Sequence, residues 1–223
     1  MKTIQQGVPI AKIELLDAQM MQAINRYASL DYQETPTLFL EFHGSVLEIE
    51  AQVAKVQQYA HQFGALDFVW EKEEERRQKL WQARIDAAPA ALALRPGAQL
   101  MSTDVCVPIS KLAQCIGDTQ IDIQQTGILA PILGHVGDGN FHLTILVHPE
   151  DPDAFTRAKA LNERLVHRAL ALGGTCTGEH GIGVGKLGFM DLEHHGAVEV
   201  MRAIKRALDP SNLMNPGKLL PPL

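Results

Sequence analysis

Along this chain the spacing of apolar positions switches between a helical period and a strand period, and the switches predict its elements. In "LLDAQMMQAINRYASL" (15–30), Leu16, Met20, Ile24 and Tyr27 recur at helical spacing and predict one buried face. "TLFLEFHG" (37–44) alternates instead, with Leu38, Leu40 and Phe42 on one side and Glu41 and His43 on the other, as a strand requires. "SVLEIEAQVAKVQQYAHQFG" (45–64) predicts a helix with both ends marked: Ser45 and Glu48 stand at capping-box spacing and Gly64 at the stop. A strand is expected at 65–70, a long helix at 72–88 and a strand in "STDVCVP" (102–108). A short helix from Ile109 leads into two apolar strands, "GILAPILGH" (127–135) and "FHLTILVH" (141–148). "PEDPDAF" opens a helix running to "LGG" at 172–174; a glycine-rich loop follows at 178–188, and a last helix near 197–208. These elements predict an α+β fold: an antiparallel sheet with helices packed on one face, closed by a C-terminal helical tail.

Composition narrows the function more than the fold. With 223 residues, 46% of them apolar, the chain can bury a sizeable core as one large domain. A net charge of −6, with acids and bases interspersed, leaves no basic stripe for nucleic acid. The run "EKEEERRQK" (71–79) changes sign within itself and reads as a solvated helix face. Cys106, Cys115 and Cys176 are odd in number and lack CxxC spacing, which excludes a disulfide framework or thiolate zinc site and favours a reducing compartment. No apolar run approaches the roughly 20 residues of a membrane span, and the first residues do not read as a signal peptide. The expectation is a cytoplasmic chain, peripheral at most to a membrane electron acceptor.

Three stretches carry candidate chemistry. "GHVGDGNFH" (134–142) sets His135 and His142 around a Gly-Asp-Gly-Asn core. If "GDGN" (137–140) is a hairpin loop, Val136 faces Phe141 and His135 faces His142. Cross-strand Cβ atoms are then about 4.5–5.5 Å apart, near enough for two imidazoles to share an ion. A hairpin whose histidines merely flank the turn explains the stretch equally well. In "CTGEHGIGVGKLG" (176–188), Glu179 and His180 lie among glycines that let backbone approach a ligand. If that segment is extended, their side chains point opposite ways, one toward a metal and one toward another atom. A plain glycine-rich surface loop is the alternative. "GVGKLG" (183–188) fits GxGxxG but opens no βαβ unit, and a Walker A loop would need glycine at His180 and Ser or Thr at Leu187. In "LWQARIDAA" (80–88), Arg84 reads either as a surface ion pair or as a bidentate clamp for a carboxylate.

Taken together and in order, "GHVGDGNFH", "TGEHGIGVGK" and "DPSNLMNPGKLLP" resemble the C-terminal domain of the FAD-linked oxidases, with support from "LWQAR" and "STDVCVPISKL". That family includes D-lactate dehydrogenase (cytochrome type), glycolate oxidase and D-2-hydroxyglutarate dehydrogenase, and "STDVCVP" is most similar to the D-lactate branch. The resemblance runs from about Gly7 to the end of the chain. It implies a ferredoxin-like cap domain over 1–208 and a tail over 209–223 that contacts the flavin domain.

The resemblance also assigns roles. It makes His135, His142 and Glu179 ligands of zinc or a similar divalent ion, His180 the base that takes the substrate hydroxyl proton, and Arg84 the holder of the substrate carboxylate. Asn140 and Asn215 lie in segments that approach the flavin in the family. Ser102, where other branches carry a lysine for a second carboxylate, favours a small monocarboxylate. The expected reaction is oxidation of a small 2-hydroxy acid, D-lactate foremost, to the 2-oxo acid, with hydride transfer to FAD.

The chain opens at "MKTIQQGVPIAKIELLD", which resembles the seam just after the family's FAD-binding domain. Either that domain is a separate polypeptide partner or this chain is a truncated product, and in both cases the chain is expected to be an incomplete enzyme without it; association of identical chains is a further open expectation. Two rival classes are a non-catalytic cap module acting through a separate flavoprotein, and a metal-dependent hydrolase.

Overall fold

The computed structural model describes residues 1–221. Its strands are β1 (Ile10–Leu16), β2 (Thr37–Phe42), β3 (Gln99–Ser102), β4 (Val105–Cys106), β5 (Ile132–Gly134) and β6 (Asn140–Val147). The helices are α1 (Lys2–Gln5), α2 (Ala18–Ala28), α3 (Val46–Gln62), α4 (Glu74–Ile85), α5 (Ala87–Ala93), α6 (Ile109–Thr126), α7 (Ala154–Ala171), α8 (Gly183–Lys186), α9 (Met190–His194) and α10 (Ala197–Leu208). The sheet runs β2-β1-β5-β6-β3, with β4 also on β6, and every pairing is antiparallel.

β6 divides the molecule, because alternate residues of a strand serve opposite faces. Phe141, Leu143, Ile145 and Val147 join Ile132 in the larger core beneath α6 and α7, with Leu161 and Leu165 of α7 fully buried. His142 shares the opposite face with its cross-strand neighbour Leu133, which packs with Leu16 of β1, α2 and α5 in a second, smaller core. The expected α+β architecture is present. The sequence predicts helices on one face of the sheet; they cover both, α6 and α7 over one and α2, α4 and α5 over the other. The candidate site lies on that second face.

Local signals act where they stand. Ser45 and Glu48 form the capping box. After α3 the amides of Gly64 and Ala65 return to His61 and Ala60 carbonyls, and after α7 those of Gly173 and Gly174 return to Leu170 and Ala169, two Schellman stops. α10 occupies the range expected for it, and the three cysteines are free thiols.

Five expected elements need correction. The helix expected from residue 15 begins at Ala18, because Leu15 and Leu16 belong to β1 and Asp17 caps α2 by accepting from the Met20 amide at 2.8 Å. Leu16, Met20 and Ile24 keep their buried face, but Tyr27 is exposed. Residues 65–70 form no strand: their apolar side chains Leu66 and Val69 face solvent, and Asp67 turns its side chain onto the Phe68 amide instead of a neighbouring strand. The 72–88 helix breaks at Asp86 into α4 and α5, and the helix from Ile109 is long, 18 residues. "STDVCVP" splits into β3 and β4; between them Thr103 still bonds Leu143 of β6 through its amide and hydroxyl, and Asp104 turns to the 177–180 loop.

Candidate metal and substrate site

The hairpin of β5 and β6 is real, but its register differs from the expected one by two residues. His142 pairs with Leu133, and the Asn140 amide returns to the His135 carbonyl at 3.3 Å, so the loop is 136–139. A two-residue slip keeps every side chain on its face. His135 and His142 therefore remain diagonal neighbours, their rings 5.9 Å apart and at 86°. Gly139 closes the loop at φ +85°, and a Cβ there would stand 2.1 Å from the Val107 carbonyl.

Glu179 completes a convergent set. Its Oε1 lies 3.1 Å from His142 Nε2 and 3.5 Å from His135 Nε2, and the three ligand atoms all fall within 4.8 Å of one another. Two donors about 2.0–2.1 Å from one tetrahedral ion stand roughly 3.3–3.4 Å apart, so this spacing suits a shared divalent ion. The far side of each imidazole is fixed as well. His142 Nδ1 donates to the Thr103 carbonyl at 2.8 Å, which can only accept, and His135 Nδ1 meets Glu14 Oε1 at 2.6 Å. Both rings thus turn the Nε2 lone pair toward Glu179, the tautomer an ion needs. Burial lowers the pKa of His142, opposed by the Thr103 carbonyl and Asp104.

Glu179 and His180 converge rather than diverge, contrary to the extended reading of their loop. Asp104 is the cause. Its Oδ2 accepts from the amides of Gly178 (2.8 Å), Glu179 (3.0 Å) and His180 (3.0 Å) and from Thr177 Oγ1 (2.8 Å). Three consecutive amides aimed at one oxygen demand a curled backbone. The His180 ring then stacks on His142 at 5.1 Å and 11°, its Nε2 3.7 Å from Glu179 Oε1. Burial alone would raise the pKa of Asp104, but the His180 amide, Thr177, the Glu179 amide and Asn140 outweigh it and hold the carboxyl well below the usual range. Lys186 reaches from α8 to the carbonyls of Asp104 and Cys176 and clamps the loop's other end. Its own pKa is lowered by burial and supported by Asp104.

Arg84 is partly buried on α4 and gives its Nε to Glu14 Oε2 at 2.9 Å, so Arg84, Glu14 and His135 form one chain of contacts. Asn140 lies beneath the loop, 5% exposed, its Nδ2 donating to Asp104 Oδ1 (2.7 Å) and to the Val105 carbonyl (2.9 Å), while its Oδ1 has no partner among the described residues. Asn215 stands apart, in the tail, where it lines a groove of about 620 Å³ with Gly183, Ile204, Lys205 and Lys218. The tail predicted over 209–223 is tied to α10 through Asp209, which pairs with Lys205 and takes the Leu213 and Met214 amides at 2.9 Å; residues 222 and 223 fall outside the described residues. The structure thus brings His135, His142, Glu179 and His180 together, links Arg84 to them through Glu14, buries Asn140 under their loop and leaves Asn215 elsewhere.

Sequence reasoning missed Glu14 and Asp104. Glu14 had a signal: it shares a strand face with Leu16, and an acid on a buried face needs partners.

The family model for the C-terminal domain of FAD linked oxidases matches residues 1–219. This chain belongs to that family. A probable mitochondrial D-lactate dehydrogenase of Danio rerio is 54% identical over 97% of the chain and 44% of its own length. The mitochondrial D-lactate dehydrogenase [cytochrome] of Arabidopsis thaliana is 40% identical over 99% of the chain and 39% of its own length. The chain therefore spans less than half of these relatives. Among solved structures, 4-ethylphenol oxidase of Gulosibacter chungangensis superposes with a TM-score of 0.69 at 16% identity, over 94% of this chain and 48% of that one, a likeness of fold. No helix among the described residues is long and apolar enough to cross a membrane. A plainly cytoplasmic placement does not fit relatives named as mitochondrial.

Proposed function

We propose that this chain is the substrate- and metal-binding part of an FAD-dependent 2-hydroxy acid dehydrogenase, with D-lactate as the substrate and pyruvate as the product. One observation carries the reading: two Nε2 atoms and one carboxylate oxygen converge at ligand spacing, with each imidazole fixed from behind by Glu14 or the Thr103 carbonyl. FAD, which the family name implies, supplies the hydride acceptor when bound. A divalent ion held by His135, His142 and Glu179 supplies positive charge that attracts the hydroxyl and carboxylate oxygens of the acid and makes the hydroxyl more acidic.

The chain's own residues do the rest. Arg84 takes the substrate carboxylate through the terminal nitrogens that Glu14 leaves free, a bidentate fit. His180, half-exposed beside Glu179, accepts the hydroxyl proton on its imidazole. Ser102, paired with Thr144, puts no cation in β3 for a second carboxylate, which suits a monocarboxylate. The buried amide of Asn140 supports a role in locking the Gly178 loop; Asn215, in its open groove, is the better candidate for the flavin side. Val200, Ile204 and Leu208 form an exposed apolar stripe on α10 beside exposed Leu213 and Met214. Such a stripe suits a protein partner, which we take to be an FAD-binding domain or subunit. The compartment is then that of the partner, and the mitochondrial names of the relatives favour a mitochondrial one.

Calorimetric titration of D-lactate into the zinc-loaded chain tests this. Binding that disappears when zinc is chelated supports the reading, and binding indifferent to zinc, or none at all, overturns it.

A further inference from the structure

Glu14 is an acid where the fold has no need of one. Leu15 and Leu16 of β1 pair with Gly134 and Leu133, so the next step of the ladder brings Glu14 opposite His135, on the face shared with Leu16 and Leu133. It is 5% exposed. A carboxylate withdrawn from water in this way is tolerated when both oxygens are paired. Here each oxygen has a different partner: Oε1 meets His135 Nδ1 at 2.6 Å, and Oε2 meets Arg84 Nε at 2.9 Å.

We propose that Glu14 is a positioning residue that ties the substrate arginine to the metal ligand, one carboxylate oxygen to each. This rests on the ion-binding reading of His135, His142 and Glu179 given above. Because the carboxylate is planar and rigid, a rotation that improves one contact spoils the other, so the two partners hold a common geometry. The His135 side needs an acceptor at Nδ1, which leaves the Nε2 lone pair facing Glu179. The Arg84 side needs an acceptor at Nε. With Nε engaged and no other partner among the described residues, the terminal nitrogens of the guanidinium are left for an incoming carboxylate.

A carboxamide of the same size cannot serve both partners. If its oxygen faces His135, its NH2 confronts the Arg84 donor. If its oxygen faces Arg84, its NH2 donates to Nδ1 and drives the imidazole proton onto Nε2, the atom that faces the ion.

The test is Co2+ binding by the full chain, followed through the visible bands of the bound ion, then D-lactate titration of the Co2+-loaded protein. Glu14→Gln is expected to weaken Co2+ binding roughly 10- to 100-fold, the usual consequence of losing a carboxylate behind a metal-bound histidine. Arg84→Gln is expected to weaken D-lactate binding far more than it changes Co2+ affinity. Glu14→Asp keeps the charge one methylene short and is expected to fall between wild type and Glu14→Gln. A merely structural Glu14 would lower the ion-free melting temperature and leave Co2+ affinity alone. Parity of Glu14→Gln with wild type in Co2+ affinity overturns the proposal, and if that variant does not fold, parity of Glu14→Asp does so. A wild-type chain that binds no Co2+ overturns the ion-binding reading and this proposal with it, whereas a wild-type chain that binds Co2+ while the Glu14 variants match it overturns the proposal alone.

Discussion

Replacing Asp104 with Asn removes one negative charge and nothing else of size, so it isolates what the carboxylate does for the loop that carries Glu179 and His180. Its two oxygens accept five hydrogen bonds of 3.0 Å or less, from Asn140, Thr177, Gly178, Glu179 and His180. The Asn side chain has two orientations here, and both fail. With the NH2 toward the loop, it confronts three backbone amides that can only donate; with the NH2 toward Asn140, two carboxamide donors collide. A hydrogen bond to a charged acceptor contributes about 1.5–3 kcal/mol, and five of them are far from additive. The loop amides are partly exposed and regain water in the variant. Weighing these effects, a net loss of about 2–4 kcal/mol is expected at pH 7, near the upper end for one substitution.

The sign of the pH dependence follows from the lowered pKa of Asp104. A carboxyl held below its unfolded value contributes stability that is fully present above that value, near pH 4, and is lost as pH falls through the folded one. Urea unfolding of wild type and Asp104→Asn, both ion-free, should therefore show the gap at pH 7 and its narrowing as the solution is taken below about pH 4. A variant within about 0.5 kcal/mol of wild type at pH 7, the range of an indifferent surface change, would refute the reasoning.

Two further outcomes are expected. At Gly178 an added Cβ would stand 2.0 Å from Asn140 Nδ2 and 3.0 Å from Asp104 Oδ1. Gly178→Ala should cost about 1–3 kcal/mol in urea unfolding through overpacking, and should weaken zinc binding because the loop must lift. Asp17 caps α2 from a buried position, and burial pushes its pKa up to about 6. The folded state then binds the proton more tightly than the unfolded one, so stability should fall as pH rises from about 4 to 6. Asp17→Asn keeps a good cap and should flatten that slope and leave the variant the more stable at pH 7, as melting temperatures across that range will show.

What could be read from the sequence was local. The capping box of α3, the glycine stops at Gly64 and Gly173 and the span of α10 each depend on residues within a turn of one another. The histidine pair survived a wrong register because a slip of two leaves faces unchanged. The residues that sequence reasoning missed act at long range. Glu14 reaches Arg84 and His135 across 70 and 121 residues, and Asp104 reaches its loop across 73 to 76. Which acid meets which histidine depends on strand order and on where β3 breaks from β4, and no periodicity in the chain records either. The misread segment at 65–70 makes the same point in reverse. Its pattern suits a strand, but a strand needs a neighbour, and the fold provides none there among the described residues.

The central claim is that His135, His142 and Glu179 together hold one divalent ion. Zinc content after dialysis, measured on wild type and on His142→Ala side by side, tests it most directly. The account expects close to one zinc per wild-type chain and a large loss in the variant. Equal zinc in both proteins, or none in wild type, would contradict it.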